Sequence, residues 1–140
     1  MGYNHQGCQF VHASLIEPSK WDYITSPMDA DIHSSFQDAR ICFHGHTHVP
    51  MVWQKIDDYM TTGKRGIGKI DLQTGCQYLI NVGAVGQPRD LNPDASYVIF
   101  NQEKQTVEFR RVKYDISKTQ KKISRNKLPK FLGQRLALGR

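Results

Sequence analysis

The chain has 140 residues, 39% apolar and 23% charged, which is enough for one domain with a real core and ordinary for a globular protein. No apolar run approaches the roughly 18 residues of a membrane span, and the start, MGYNHQGCQ, lacks the basic and apolar regions of a signal peptide, so the expected location is cytoplasmic. The net charge of +6 is unevenly spread. Residues 1–109 hold 8 Lys and Arg against 12 Asp and Glu, whereas residues 110–140 hold 11 against Asp115 alone. Such a basic end can meet phosphate-rich partners. There is no aromatic interleaving beyond Tyr114 and Phe131, however, which argues for a solvated face and against nucleic acid as the partner. Three widely separated cysteines without a C-x-x-C pair exclude a disulfide framework and a thiolate zinc site, leaving reduced, buried thiols.

In chain order, CQFVHAS (8–14) reads as a short buried strand ending at His12. An aromatic loop around Trp21 and Tyr23 follows. Ser26 and Pro27 signal a helix start, and Met28, Ile32, Phe36 and Ala39 recur at helical spacing, predicting a helix to about residue 39 that buries this stripe. ARICFHGHTHVP is a second strand, with Ile41 and Phe43 on one face and histidines at its end. A glycine-dotted surface loop (61–77) leads to a strand pair with Ile70 and Leu72 on one face. A strand over residues 78–82 then opens into a Gly-rich loop. Residues 95–115 form a hairpin turning near residues 102–105, with a bulge near Arg110 where the apolar phase changes. Two helices close the chain: one capped by Asp115 with Ile116 and Ile123 inward, the other opened by Pro129 with Phe131, Leu132, Leu136 and Leu138 inward. This order belongs to a layered α/β protein with its function at strand ends.

The chemistry concentrates in CFHGHTHVP. In an extended segment His46 and His48, two apart, project together, while His44 projects with Thr47's side or turns inward. His12 ends another apolar strand in the same way. Three neutral imidazoles at strand ends fit a single zinc site, or the imidazole share of a two-metal site with a bridging carboxylate and water; spacing leaves both open. A nucleophilic triad fits less well, because Ser14 and Cys42 sit in no elbow and no Asp stands behind a histidine.

Taken in order, VHAS, FHGHTHVP and YLINVGAVGQPRD, followed by a hairpin, RRVKYD and LPKFLGQRLALGR, resemble the C-terminal half of a calcineurin-like metallophosphoesterase, nearest the bacterial and archaeal phosphodiesterase and protein-phosphatase-like branch. The resemblance covers nearly all of residues 1–140. It implies half of a four-layer αββα sandwich, with mixed or antiparallel sheets and flanking helices, and a dinuclear centre of divalent ions (Mn, Fe, Zn or Ni) that hydrolyses a phosphate ester. By that resemblance His12 and His46 bind one metal and His48 the other, while His44 is a packing residue. Asn81, Gly83, Gln87 and Arg89 match a loop whose role in the family is mainly structural at the edge of the site, with Asn81 and Arg89 as the candidate substrate or site-edge residues. Val82 and Ala84 stand where the family often has Pro and Ser.

One departure matters. The family's early Asp-x-His, its Gly-Asp with the bridging carboxylate, and its Gly-Asn-His followed by Asp or Glu, which carries the general-acid histidine, do not precede VHAS. Asn4 and His5 lack the flanking glycine and acid. Three neutral histidines offset none of the repulsion between two divalent cations. The expected partner is therefore a second chain, or the missing N-terminal half, supplying carboxylates. The alternative is a non-catalytic remnant that binds a metal or a partner protein through an open face.

Overall fold

The computed structural model describes residues 2–61 and 63–140. The elements are β1 (Tyr3–His5), β2 (Cys8–Phe10), α1 (Pro27–Ser34), β3 (Ile41–His44), β4 (Met51–Ile56), β5 (Tyr59–Met60), β6 (Lys64–Arg65), β7 (Gly68–Asp71), β8 (Gln77–Asn81), β9 (Ala95–Asn101), β10 (Thr106–Val112), α2 (Ile116–Arg125) and α3 (Lys130–Leu138).

The larger sheet runs β1-β2-β3-β8-β4-β5, with β6 beside β4. Its centre is parallel, β2 to β3 and β3 to β8, and the flanking pairs are antiparallel. The central strands are buried on both faces, which explains the unbroken apolar runs ICF and YLI. A smaller antiparallel sheet, β7-β10-β9, stacks on one face. Between the sheets lie Ile41, Phe43, Val52, Tyr78, Ile80, Val107 and Phe109. On the far side Val11, Ile24, Ala30, Cys42, Trp53 and Leu79 form a second core beneath α1. The mixed α/β architecture expected of the sequence is therefore present. All three cysteines are free and buried, and burial pushes the Cys42 thiol up to about 12, so it is a small hydrophobe and no nucleophile.

Three local expectations are corrected. Helix α1 stops at Ser34, and its apolar stripe faces outward: Met28, Ile32 and Phe36 are exposed, while Ala30, His33 and Ser34 are buried. Polar anchors decide this orientation. Lys55 on β4 donates to Asp31 at 2.9 Å and to the Ser34 hydroxyl at 3.0 Å, and the Leu15 amide donates to His33 Nδ1 at 3.3 Å. Second, β9 and β10 pair without interruption from Thr106 opposite Asn101 to Val112 opposite Ala95, so there is no bulge near Arg110. The apolar phase breaks because Arg111 takes the inward position after Val107 and Phe109, where Asp90 and the Asp94 carbonyl receive it. Third, on α3 only Leu136 is fully buried among the expected apolar residues, and Phe131 and Leu138 are exposed. Helices α2 and α3 pack on each other through Gln120 Nε2 donating to the Gly133 carbonyl at 2.9 Å. They are tied to the body where the Leu91 amide donates to the Gly139 carbonyl at 3.0 Å.

The start of α1 is as the sequence requires. Ser26 Oγ accepts from the Asp29 amide at 3.1 Å while Asp29 Oδ2 accepts from the Ser26 amide at 2.9 Å, a reciprocal capping box. Replacing Ser26 with alanine is expected to cost about 1 kcal/mol in a urea titration of the chain. An unchanged midpoint would mean that α1 is held by Lys55 and His33 alone.

Candidate metal site

β2 and β3 are parallel neighbours, so the segments leaving their C-terminal ends emerge side by side. Two backbone bonds zip these exits together: the Val11 amide donates to the Phe43 carbonyl and the Gly45 amide to the His12 carbonyl, both at 3.0 Å. That contact brings His12 against the GHTH turn. The turn is not extended as the spacing argument assumes. His46 and His48 both adopt left-handed backbone, with φ of 65° and 62°. Non-glycine residues in this region carry a local cost that the surroundings must offset, a pattern common at functional sites.

Asn81, at the end of β8, is one source of that support. Its buried amide donates to the Gly45 carbonyl at 2.6 Å and to Thr47 Oγ1 at 2.9 Å, and its oxygen accepts from the Gly83 amide at 2.9 Å. Both amide protons are spent within the protein, so Asn81 positions the turn from beneath and does not face a substrate. Gly83 sits at φ 81°, and a Cβ there would lie 2.6 Å from Ser96 Oγ and 2.8 Å from Pro50. Only glycine fits where the loop after β8 passes between β9 and the end of the turn.

His12 Nε2 and His46 Nδ1 stand 3.0 Å apart. Two imidazole nitrogens bound to one ion at about 2.0–2.1 Å, with an angle between 90° and tetrahedral, lie about 2.9–3.4 Å apart, so the pair fits a shared cation. The nearby Trp21 backbone favours the charged form of His46. Burial, followed by the His12 charge, wins and lowers its pKa. His48 Nδ1 donates to the Gln87 carbonyl at 2.7 Å, which fixes the tautomer and leaves the Nε2 lone pair free. Burial, with Arg89 the largest charge effect, lowers its pKa too. The His48 ring is thus held by the backbone, the support that ligand histidines typically have, and both rings are biased to the neutral, metal-binding form.

The three histidines do not converge on one ion. Among the described residues no group of three or more His, Cys, Asp or Glu side chains gathers closely enough to hold a metal. The single-zinc alternative is therefore not what the chain builds. The arrangement is a pair, His12 with His46, and a separate His48 that lines the same cavity as His12. That cavity, about 790 Å³, opens between the sheets, with Phe10, Phe43, Val98 and Phe100 along its apolar side. His44 is buried beside it, its pKa pushed down to about 3, chiefly by burial; it is a neutral packing residue as expected.

Two aromatic residues complete the surroundings. The Trp21 ring meets the His12 ring edge-on at 4.8 Å, and the Tyr23 ring lies 4.2 Å from that of His46. The sequence shows them only as an aromatic loop; the available signal was two large rings in an otherwise polar segment just after VHAS.

No protein-family model matches the chain. It is 40% identical over 131 residues to the uncharacterized protein MJ0912 of Methanocaldococcus jannaschii, a match covering 94% of this chain and 51% of that protein. It superposes on the crystal structure of a metallophosphoesterase from Sphaerobacter thermophilus with a TM-score of 0.88 at 36% identity, covering 99% of this chain and 59% of that one. The chain belongs to the calcineurin-like metallophosphoesterase superfamily. A hypothetical protein, PH1004 from Pyrococcus horikoshii OT3, shares the fold at a TM-score of 0.64 and 16% identity, covering 95% of this chain and 46% of that one. This metallophosphoesterase chain spans about half the length of the curated relative it matches. No helix among its described residues is long and apolar enough to cross a membrane.

Proposed function

We propose that the chain supplies the histidine half of the dinuclear centre of a metal-dependent phosphoesterase, as the C-terminal part of the catalytic domain. The observation that carries this is the His12 and His46 pair, two imidazole nitrogens 3.0 Å apart at the ends of adjacent parallel strands. In this reading His12 and His46 hold one divalent ion and His48 Nε2 the other. All three are ligands, none a proton donor, and the general acid comes from outside residues 1–140. When bound, the ions lower the pKa of water so that a hydroxide nucleophile is available near neutral pH, and they polarise the phosphoryl group. The chain's own part is to bias His46 and His48 to the neutral form, through burial, and to orient His48, through the Gln87 carbonyl. Manganese, iron, zinc and nickel all accept imidazole nitrogen, and we propose a cytoplasmic enzyme without committing to one metal.

Carboxylates must come from elsewhere for two ions to sit close together, because imidazoles contribute no negative charge. The 140-residue chain with Mn2+ is therefore expected to hydrolyse a chromogenic phosphate ester negligibly. Adding a polypeptide with the Asp-x-His, Gly-Asp and Gly-Asn-His motifs should bring metal-dependent turnover that His48→Ala abolishes. Robust turnover by the chain alone that His48→Ala leaves intact would sink the assignment. A second reading, a non-catalytic remnant that binds a metal or partner protein, gains support from the exposed Met28, Ile32 and Phe36 stripe on α1. Under it, the added polypeptide would bind and yield no turnover.

A further inference from the structure

The positive charge beside the histidines is the feature that metal binding leaves unexplained. The Arg89 amide donates to the His48 carbonyl at 3.1 Å, while His48 Nδ1 donates to the Gln87 carbonyl at 2.7 Å. These two bonds strap residues 87–89 onto the backbone and ring of the same histidine. The Arg89 side chain then folds over the strap: its Nε and Nη2 donate to Gln87 Oε1 at 3.3 and 2.9 Å. The guanidinium is thus fixed by the loop that fixes His48.

Its partner is a neutral amide. Among the described residues no carboxylate lies within ion-pair distance of Arg89, whereas nearby Arg111 is paired with Asp90 and Arg110 with Glu108. Its Nη1 makes no hydrogen bond to the described residues. A half-buried cation restrained by a neutral group beside imidazoles is costly in isolation, since nothing local neutralises it. Arg89 stands at the site itself, one backbone hydrogen bond from His48. An anion placed among Arg89, His48 and the ions would remove that cost. A planar fork with a free edge suits the oxygens of a phosphoryl group.

We propose that Arg89 is the substrate-positioning residue of this site: held by Gln87 against the His48 loop, it donates from its free Nη1 to a non-bridging phosphoryl oxygen of the bound ester. This role rests on the metallophosphoesterase reading above and adds to it a residue that contacts substrate without touching metal. Gln87 is the support that aims the guanidinium, and Asn81 plays no part in it.

The test uses the 140-residue chain, Mn2+ and inorganic phosphate. Free Mn2+ is counted by electron paramagnetic resonance, and phosphate binding is read by calorimetry and by broadening of the 31P resonance. Wild type is expected to bind Mn2+ and then phosphate. Arg89→Gln should bind Mn2+ within about twofold of wild type and phosphate about ten- to a hundredfold more weakly, the range for a lost charge-assisted hydrogen bond. Arg89→Lys, which keeps the charge and loses the fork, should fall between. If Mn2+ binds and Arg89→Gln takes up phosphate as tightly as wild type, the role of Arg89 is overturned and the metal site stands. If wild type binds Mn2+ and no phosphate, the role is overturned likewise. If wild type binds no Mn2+, the metal reading fails and this role fails with it.

Discussion

Replacing His46 with alanine is expected to weaken divalent metal binding by at least about a hundredfold, more than the 10–100-fold typical of losing a group that merely supports a ligand. The geometry gives His46 three roles at once. Its Nδ1 faces His12 Nε2 at 3.0 Å, its ring packs against that of Tyr23 at 4.2 Å, and its own backbone sits in left-handed geometry at φ 65°. Alanine removes the donor nitrogen and leaves His12 as a single imidazole, with no second ligand from this chain beside it. Co2+ titrated into the chain should give visible ligand-field bands for wild type and none for His46→Ala at equal metal concentration. His12→Ala should behave the same way, since the two nitrogens are interchangeable partners in the pair. His44→Gln is the contrast. That ring is buried, its Nε2 makes no hydrogen bond among the described residues, and its replacement should alter stability while leaving the Co2+ spectrum in place. Equal Co2+ spectra for wild type and His46→Ala would remove the pair from the metal site.

How the pair forms shows what the sequence displays and what it hides. The strand ends were legible, because apolar runs followed by His12 and by GHTH mark where two buried strands leave the sheet. The structure brings His12 and His46 to 3.0 Å and gathers no third ligand beside them among the described residues. The spacing argument reached part of this by an incorrect route. It treated residues 44–48 as extended, so that His46 and His48 share a side; left-handed backbone at both residues re-aims them instead. That conformation is bought by Asn81 and Gly83, which lie more than thirty residues downstream, and local pattern carries no trace of such long-range support. The same limit explains α1. Periodicity located an apolar stripe correctly and could not say whether the sheet lay beneath it. Lys55, His33 and Ser14, all distant in sequence from one another, turn the opposite face inward. The bulge expected near Arg110 failed for a related reason, since a half-buried, carboxylate-paired arginine occupies an inward strand position that hydropathy scores as outward.

His33, which no motif singles out, sets the second large effect. It is fully buried on the inward face of α1, with Nδ1 receiving the Leu15 amide and Nε2 unpartnered among the described residues, and burial pushes its pKa down to about 4. In the unfolded chain a histidine titrates near 6.5, so between those values the unfolded state binds a proton that the folded state refuses. Stability is therefore complete above about pH 6.5, falls as the pH drops towards 4, and is lost to the extent of about 3 kcal/mol by that point. His44, lowered further and for the same reason, acts in the same direction. Asp29 has a different window. Hydrogen bonds, first from the Thr25 backbone, hold its carboxyl below the usual range, so its contribution is lost only as the pH falls below about 4. Thermal melts in the presence of a chelator at pH 7.5, 6.0, 5.0 and 4.5 should show the midpoint sliding steadily below pH 6.5. His33→Gln, whose side-chain oxygen can still accept from Leu15, should reduce that slope by less than half, since His44, His46 and His48 are lowered as well. A wild-type midpoint that stays level down to pH 4.5 would mean that the α1 interface opens to water, and that the polar face it turns inward is not sealed.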